Sequence, residues 1–243
     1  MQEPLALTRL LNHLFGGVIA SLLHLLGIHP VDPALPITNE FAIELVVVAG
    51  LVTFFAIVRA TLSVDKPGPA QQIAEMIYEF TGSLGDQIIG HGSEKYQAYV
   101  TIIFLFVLTN NLAGLIPGIP TPTASAVVPL GLAIPTFLYY NFQGFRANGP
   151  GYVKQFLGPI WWMSWLLLPI ETVSHLARIM SLTIRLYANM FASDMLTLGF
   201  FSLIPLGVPS VFLGLHVFVS IIQAFIFMLL SMIYLSLATA HEH

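Results

Sequence analysis

The chain has no cysteine and very little charge. Without cysteine it can build neither a disulfide framework nor a thiolate metal site. Only 8% of its 243 residues are Asp, Glu, Lys or Arg, against about 25% in ordinary soluble domains. The scarcity is uneven, because residues 96–145 and 195–241 contain none of the four. Each of these gaps is long enough for a helical span of ~20 residues, and the first for two. Also missing are a G-x-S-x-G elbow, an H-E-x-x-H pair, a P-loop and a dinucleotide fingerprint. No nucleotide site, metal or cofactor is therefore expected. A net charge of −4 gives no reason to expect nucleic acid. The start of the chain lacks both a basic stretch and a small-residue cleavage site, so no cleavable signal peptide is expected.

What is there is apolar. Hydrophobic residues make up 56% of the chain and the mean hydropathy is +0.84, which predicts an all-α integral membrane protein. Residues 5–26 are apolar but interrupted by Asn12, Gly16, Gly17 and His24, and read as an interfacial helix. The prolines at 30, 33 and 36 separate it from a first span over 41–62. Lys66-Pro-Gly-Pro69 ends that span, and 70–89 reads as an amphipathic surface helix with Glu75, Glu79 and Asp86. Further spans are predicted at 96–116 and 127–145, the latter bent by Pro129 and Pro135. A glycine-rich turn follows at 143–158. Two long segments, 169–204 and 208–240, are joined by Pro205-Leu-Gly-Val-Pro209. The whole reads as one membrane domain: an interfacial segment at 1–40, peripheral spans over 41–158 and a long hairpin over 159–243. About five membrane helices result.

Arg59, Lys66 and Lys95 flank one loop, and Arg146 and Lys154 lie in another on the same side, while the opposite side offers only Arg9. The positive-inside rule then places the N-terminus outside and the C-terminus in the cytoplasm. As continuous helices the last two segments would reach about 54 and 48 Å, against a hydrocarbon core of ~30 Å. They must tilt strongly or break. No internal repeat is visible, which argues against an inverted-repeat transporter.

Arg185 sits inside the first of these long segments, with about twenty helical residues on either side, too many for simple snorkelling. A guanidinium at bilayer depth costs at least ~2.5–3.5 kcal/mol and marks a partner or a watery path. At 100° per residue, Glu171, Arg178, Arg185 and Asn189 share one face of this segment, with Asp194 on the opposite face. On the last segment His216, Ser220, Gln223 and Tyr234 form a second stripe, with Ser231 at its edge. For Ser220, Ser231 and Tyr234, hydrogen-bonding glue between helices competes with a functional role. Asp194 and His216 flank the turn and fall at similar depth on antiparallel packing, as a proton-carrying pair would. His13, His24, His29 and His91 have no ligand spacing, and the His241-Glu242-His243 tail reads as a frayed end.

Four stretches carry a family resemblance: Ser181-Leu-Thr-Ile-Arg-Leu-Tyr-Ala-Asn-Met-Phe-Ala-Ser-Asp194, Gln223-Ala-Phe-Ile-Phe-Met-Leu-Leu230, Asn111-Leu-Ala-Gly-Leu-Ile-Pro-Gly118 and the tail. Together they resemble subunit a of F-type ATP synthases of the bacterial type, in family order from residue 41 onward. The resemblance implies a stator subunit whose tilted hairpin cradles a ring of c subunits, each with a membrane-buried carboxyl group. It implies that Arg185 faces that ring, and that Asn189, Glu171, His216 and Gln223 line two proton half-channels, with Asp194 where a glutamate is familiar. Arg178, Ser220 and Tyr234 take secondary places. It further implies b-type peripheral stalk subunits as partners, membrane lipid around a single copy per complex, a cell (inner) membrane location and no catalysis by the chain itself. There are departures. Ser125 and Val127 in Pro122-Thr-Ala-Ser-Ala-Val-Val-Pro129 stand where the family often has an aspartate and an asparagine, so the outer half-channel should rely more on Asp194 and His216. Ala188 stands where glycine is frequent. A proton-coupled secondary transporter would need a substrate pocket, and a purely structural anchor would leave the cost of Arg185, Asp194 and His216 unexplained.

Overall fold

In the computed structural model, the described residues are 4–25, 35–90, 92–116, 119–149, 151–152, 164–203 and 208–239. They form helices α1 (Ala6–Leu25), α2 (Asn39–Ala60), α3 (Pro69–Ile88), α4 (Glu94–Ala113), α5 (Val127–Asn148), α6 (Ser164–Leu203) and α7 (Val208–Thr239), with a short 3-10 turn at Pro122–Ala124. Such an all-helical outcome is what a low-polarity solvent demands, since a helix satisfies its backbone groups within one segment. The expected connection at 205–207, the prolines at 30 and 33, His29, His91, the turn beyond residue 152 and the tail from 240 lie outside the described residues.

Helix starts follow local chemistry. The Thr38 hydroxyl accepts the Phe41 N–H at 3.4 Å and caps α2. Pro69 opens α3, where its missing N–H would have no intrahelical acceptor. Pro129 lies in the first turn of α5 for the same reason, and α5 continues as one helix through Pro135 to Asn148, beyond the expected end at 145. The first long segment also starts earlier than expected. α6 begins at Ser164 with Pro169 inside it, and spans 40 residues, while α7 spans 32. Of the two ways to fit a membrane, tilting or breaking, neither helix breaks within the described residues, which leaves tilt.

α1, α2, α4 and residues Ser210–Thr239 of α7 are each long and apolar enough to cross a membrane. α1, expected at the interface, is thus itself of spanning length. It is tied to the start of α2 by polar contacts: Asn12 exchanges two hydrogen bonds with the Ile37 backbone, at 2.9 and 3.0 Å, and the Thr8 hydroxyl donates to Asn39 at 2.8 Å. α3 folds back along α4, with Thr81 and Thr101 hydroxyls 2.7 Å apart and a Ser93–Asp86 hydrogen bond closing the turn.

The core lies where α4, α5, α6 and α7 meet. Leu182, Leu186 and Met190 recur every fourth residue on α6 and pack against Ala224, Phe227, Met228 and Met232 of α7 and Val100, Phe104 and Val107 of α4. Partners fall on α7 as residue numbers rise on α6, from Arg178–Tyr234 to Ser193–His216, so the pair is antiparallel as expected. At the other end of the bundle, Gly144 lets the Tyr152 ring and the Ala238 carbonyl close in; a Cβ there would lie 2.5 Å from Tyr152 Cε2. The core thus fixes which side chains of α6 point inward and which are left outside.

Candidate functional site

α6 carries two polar clusters with a lone arginine between them. The first is at Asp194. Its Oδ1 accepts the Thr121 hydroxyl at 2.9 Å and lies 3.5 Å from His216 Nδ1. His216 is buried at 2% exposure; Ser193 Oγ stands 3.0 Å from its Nδ1 and the Asn111 carbonyl 3.0 Å from its Nε2. A carbonyl can only accept, so Nε2 carries a proton. Nδ1 is then free to accept from Ser193, to accept from a protonated Asp194, or to bind a second proton that it shares with the carboxylate. One proton can therefore sit on either member of the pair with little movement of heavy atoms.

The loop after α4 builds the floor of this cluster. Asn111 donates to the Ser220 carbonyl at 3.4 Å and accepts the Thr123 hydroxyl at 2.6 Å, with Asn111 and Thr123 fully buried. Thr121 reaches Asp194 only because the chain crosses Gly114 closely. A Cβ on Gly114 would lie 1.8 Å from Thr121 Oγ1 and 2.9 Å from its Cβ. Thr121 is itself buried, and its main-chain N–H also faces the carboxyl group. Ser220 is buried too, its hydroxyl without a hydrogen-bond partner among the described residues.

The second cluster lies towards the start of α6. Glu171 Oε1 is 3.3 Å from His175 Nε2 and 3.9 Å from an Arg178 nitrogen. His175 Nδ1 lies 3.1 Å from the Tyr140 hydroxyl, and Arg178 sits over the Tyr234 ring at 5.3 Å. The expected Glu171–Arg178 pairing is present, and so is the expected Asp194–His216 pairing. The ion pairs found among the described residues all belong to these two clusters.

From Glu171 to Asp194 along α6 is about 35 Å at ~1.5 Å per residue, close to the ~30 Å hydrocarbon thickness. Arg185 lies between the clusters, about 15 Å from Asp194 and 20 Å from Glu171 on the same measure. The residue is half-buried, and its one side-chain hydrogen bond among the described residues, an exposed one, runs to Ser181 Oγ, one turn back, at 3.4 Å. No carboxylate among the described residues pairs with it. An unpaired fixed charge on the outer surface of a membrane helix asks for a partner from outside the chain.

Some expected residues stay apart. Asn189 is exposed on the Arg185 side and joins neither cluster. Gln223 is buried among the helices, between the clusters, and adds no side-chain hydrogen bond to either among the described residues. Ser231 donates to the Phe227 carbonyl within its own helix at 2.8 Å, so it glues nothing across helices. Among the described residues, Ser125 and Val127, the departures noted above, contribute no side-chain bond to Asp194; Thr121 of the same loop takes that place, while Thr123 donates to Asn111. Missed altogether were His175, Tyr140, Thr121 and Ser193. His175 was readable, four residues after Glu171 and so on the same helix face. Among the described residues, no group of three His, Asp or Glu could hold a metal ion.

The model of the family described as ATP synthase A chain matches residues 41–236. Over 244 aligned residues, covering 100% of both chains, this sequence is 51% identical to ATP synthase subunit a of Koribacter versatilis (strain Ellin345). It is 47% identical to ATP synthase subunit a of Solibacter usitatus (strain Ellin6076), covering 96% of this chain and 99% of that one. With ATP synthase subunit a of Bdellovibrio bacteriovorus it shares 42% identity over 70% of this chain and 75% of that one.

Proposed function

This chain belongs to the ATP synthase A chain family, and from that premise we propose that it moves protons through two half-channels that meet at Arg185. It is a multi-pass membrane protein, the proton-translocating subunit of its complex, and the transporter alternative is not favoured. A proton taken up at the Asp194–His216 cluster neutralises a carboxylate on a ring of c subunits. The neutral site can turn into lipid, which the charged form resists. After most of a turn it reaches the Glu171 cluster and releases its proton there. Arg185 repels a hydronium short-circuit and favours the deprotonated carboxylate as it passes. A membrane potential drives this cycle with about 2.3 kcal/mol per charge per 100 mV. The catalysis of ATP synthesis lies in other subunits, b-type stalk subunits hold this chain against the turning ring, and the Asp194 end faces outward with the C-terminus in the cytoplasm.

One observation carries this reading: Arg185 stands on the outer face of α6 with no carboxylate partner among the described residues, between two ion-paired clusters towards the two ends of that helix. The test is to purify the complex from detergent and assay ATP-driven acidification in liposomes. A complex with the chain should pump and also contain a multi-copy hairpin subunit; purification of the chain alone, without either, would refute the assignment.

The floor of the uptake cluster makes a separate prediction. Thr121→Val keeps the shape and removes one hydrogen bond to a carboxylate, worth ~1.5–3 kcal/mol. Proton uptake should slow by roughly 10- to 100-fold. Gly114→Ala should do the same indirectly by pushing Thr121 aside, and a Gly114→Ala, Thr121→Val double variant should be no slower than the worse single variant. Rates of proton-driven ATP synthesis at low outside proton concentration measure this, and independent, multiplying losses would separate the two residues.

A further inference from the structure

We infer that His175 is a proton-carrying residue of the inner path, passing protons from a cleft beside Arg178 to the Glu171 carboxylate. The inference rests on the reading of Glu171 as the release side. It comes from a cleft and a histidine that the family resemblance leaves unassigned. Between the depth of Arg185 and that of Glu171, α5, α6 and α7 leave a small cleft lined by Thr136, Tyr140, Arg178, Leu182 and Tyr234. Three of these side chains end in hydroxyls, and Thr136 is held by the Tyr99 hydroxyl at 3.1 Å. Ala133, Phe137 and Ile179 complete the lining, so the cleft is mostly apolar, with hydroxyls at Thr136, Tyr140 and Tyr234 and the Arg178 side chain among them.

On the far side of Tyr140 stands His175. The imidazole is 7% exposed and faces the Tyr140 hydroxyl through Nδ1 at 3.1 Å and the Glu171 carboxylate through Nε2 at 3.3 Å. Glu171 is much more open, with 37% of its side chain exposed. The ring therefore lies between the Tyr140 hydroxyl at the edge of that cleft and the open Glu171 carboxylate. The charged and titratable groups around it are Glu171 and Arg178 on its own helix and Tyr140 on α5; from α7, Tyr234 lies against both Arg178 and Tyr140.

The step balances without any other reactant. A proton arriving from the cleft binds Nδ1 as the Tyr140 hydroxyl turns to accept, and the ring becomes an imidazolium. The Nε2 proton then passes to a Glu171 oxygen, which gives it to water. The ring is left with its proton on Nδ1; a half-turn about its Cβ–Cγ bond carries that proton to the Glu171 side and Nε2 towards the Tyr140 side, so the next proton binds Nε2 and leaves from Nδ1. Its neighbours permit that motion, since Tyr140 stacks on it at 19° with centroids 6.1 Å apart and Phe137 meets it edge-on at 78°. A half-turn leaves the ring plane where it was.

A buried histidine that merely ties α5 to α6 would show the same distances, so the test must separate carrying from tying. His175→Gln keeps a donor and an acceptor at the two ends but cannot take up a proton. In vesicles holding the whole complex, normalised to the amount assembled, passive proton conduction through His175→Gln should fall at least about tenfold. In His175→Ala, imidazole added on the Glu171 side should restore conduction several-fold, while leaving the wild type unchanged. Wild-type conduction in assembled His175→Gln would overturn the inference, and so would a slow His175→Ala complex that imidazole does not restore. Arg185→Ala in the same assay keeps the two readings apart. If Arg185→Ala pumps normally, the half-channel reading itself fails; if it does not pump while His175→Gln conducts normally, only the role of His175 falls.

Discussion

Replacing Arg185 with alanine is expected to abolish ATP-driven proton pumping while the complex still assembles. The residue is half-buried and its side chain makes one 3.4 Å hydrogen bond, to a residue of its own helix, so its removal opens no hole in the core. The packing of α6 on α7 rests on Leu182, Leu186 and Met190 instead. On the proposed function, what is lost is a fixed positive charge facing a ring carboxylate. At ~4 Å and an effective dielectric near 20 that interaction is worth about 4 kcal/mol, or roughly 10³-fold in a rate. Arg185→Lys should also fail, because a point charge on a flexible stem does not reproduce a planar fork of donors. Arg178→Gln should be milder, since Arg178 already has Glu171 and the Tyr234 ring as partners. Acidification of inverted vesicles measures all three. Normal pumping by an assembled Arg185→Ala complex would sink the proposed role.

The second large effect belongs to the Asp194–His216 pair. Asp194→Asn keeps the oxygen that the Thr121 hydroxyl reaches but can no longer ionise. His216→Ala removes the ring that meets Ser193, Asp194 and the Asn111 carbonyl. Each should slow proton uptake strongly, by about tenfold or more. If a proton passes between the two groups, 3.5 Å apart, each loss breaks the same relay and the two losses should not multiply. A coupling of about 1–3 kcal/mol is expected in the double-mutant cycle. Losses that simply multiply would show two independent groups and end the shared-proton picture.

Much of this was legible in the sequence. Charge-free stretches of spanning length located the spans, and residues in steps of three and four gave the α6 and α7 faces. The Asp194–His216 meeting followed from their distances to the turn, because two helices joined by a short connection must pack antiparallel. Thr121 and Thr123 were illegible for the opposite reason. They sit in a loop with no period, and their contacts depend on how closely that loop crosses Gly114. Tyr140 was hidden because its partner His175 lies on another helix, and helix-to-helix register is set by core packing rather than by either sequence alone. The end of α5 and the start of α6 also lay beyond the expected limits; at the α5 end the Asn148 side chain still finds a partner, donating to the Ala238 carbonyl at 3.1 Å.

The absence of cysteine makes one measurement unusually clean. Single cysteines at Thr197, one turn from the uptake cluster, and at Ser174, beside His175, can be tested with a membrane-impermeant thiol reagent applied to each side of sealed vesicles. Two half-channels separated at Arg185 require Thr197→Cys to react from the outer side alone and Ser174→Cys from the cytoplasmic side alone. Reaction of either cysteine from both sides would reveal one continuous pore and contradict the separation at Arg185.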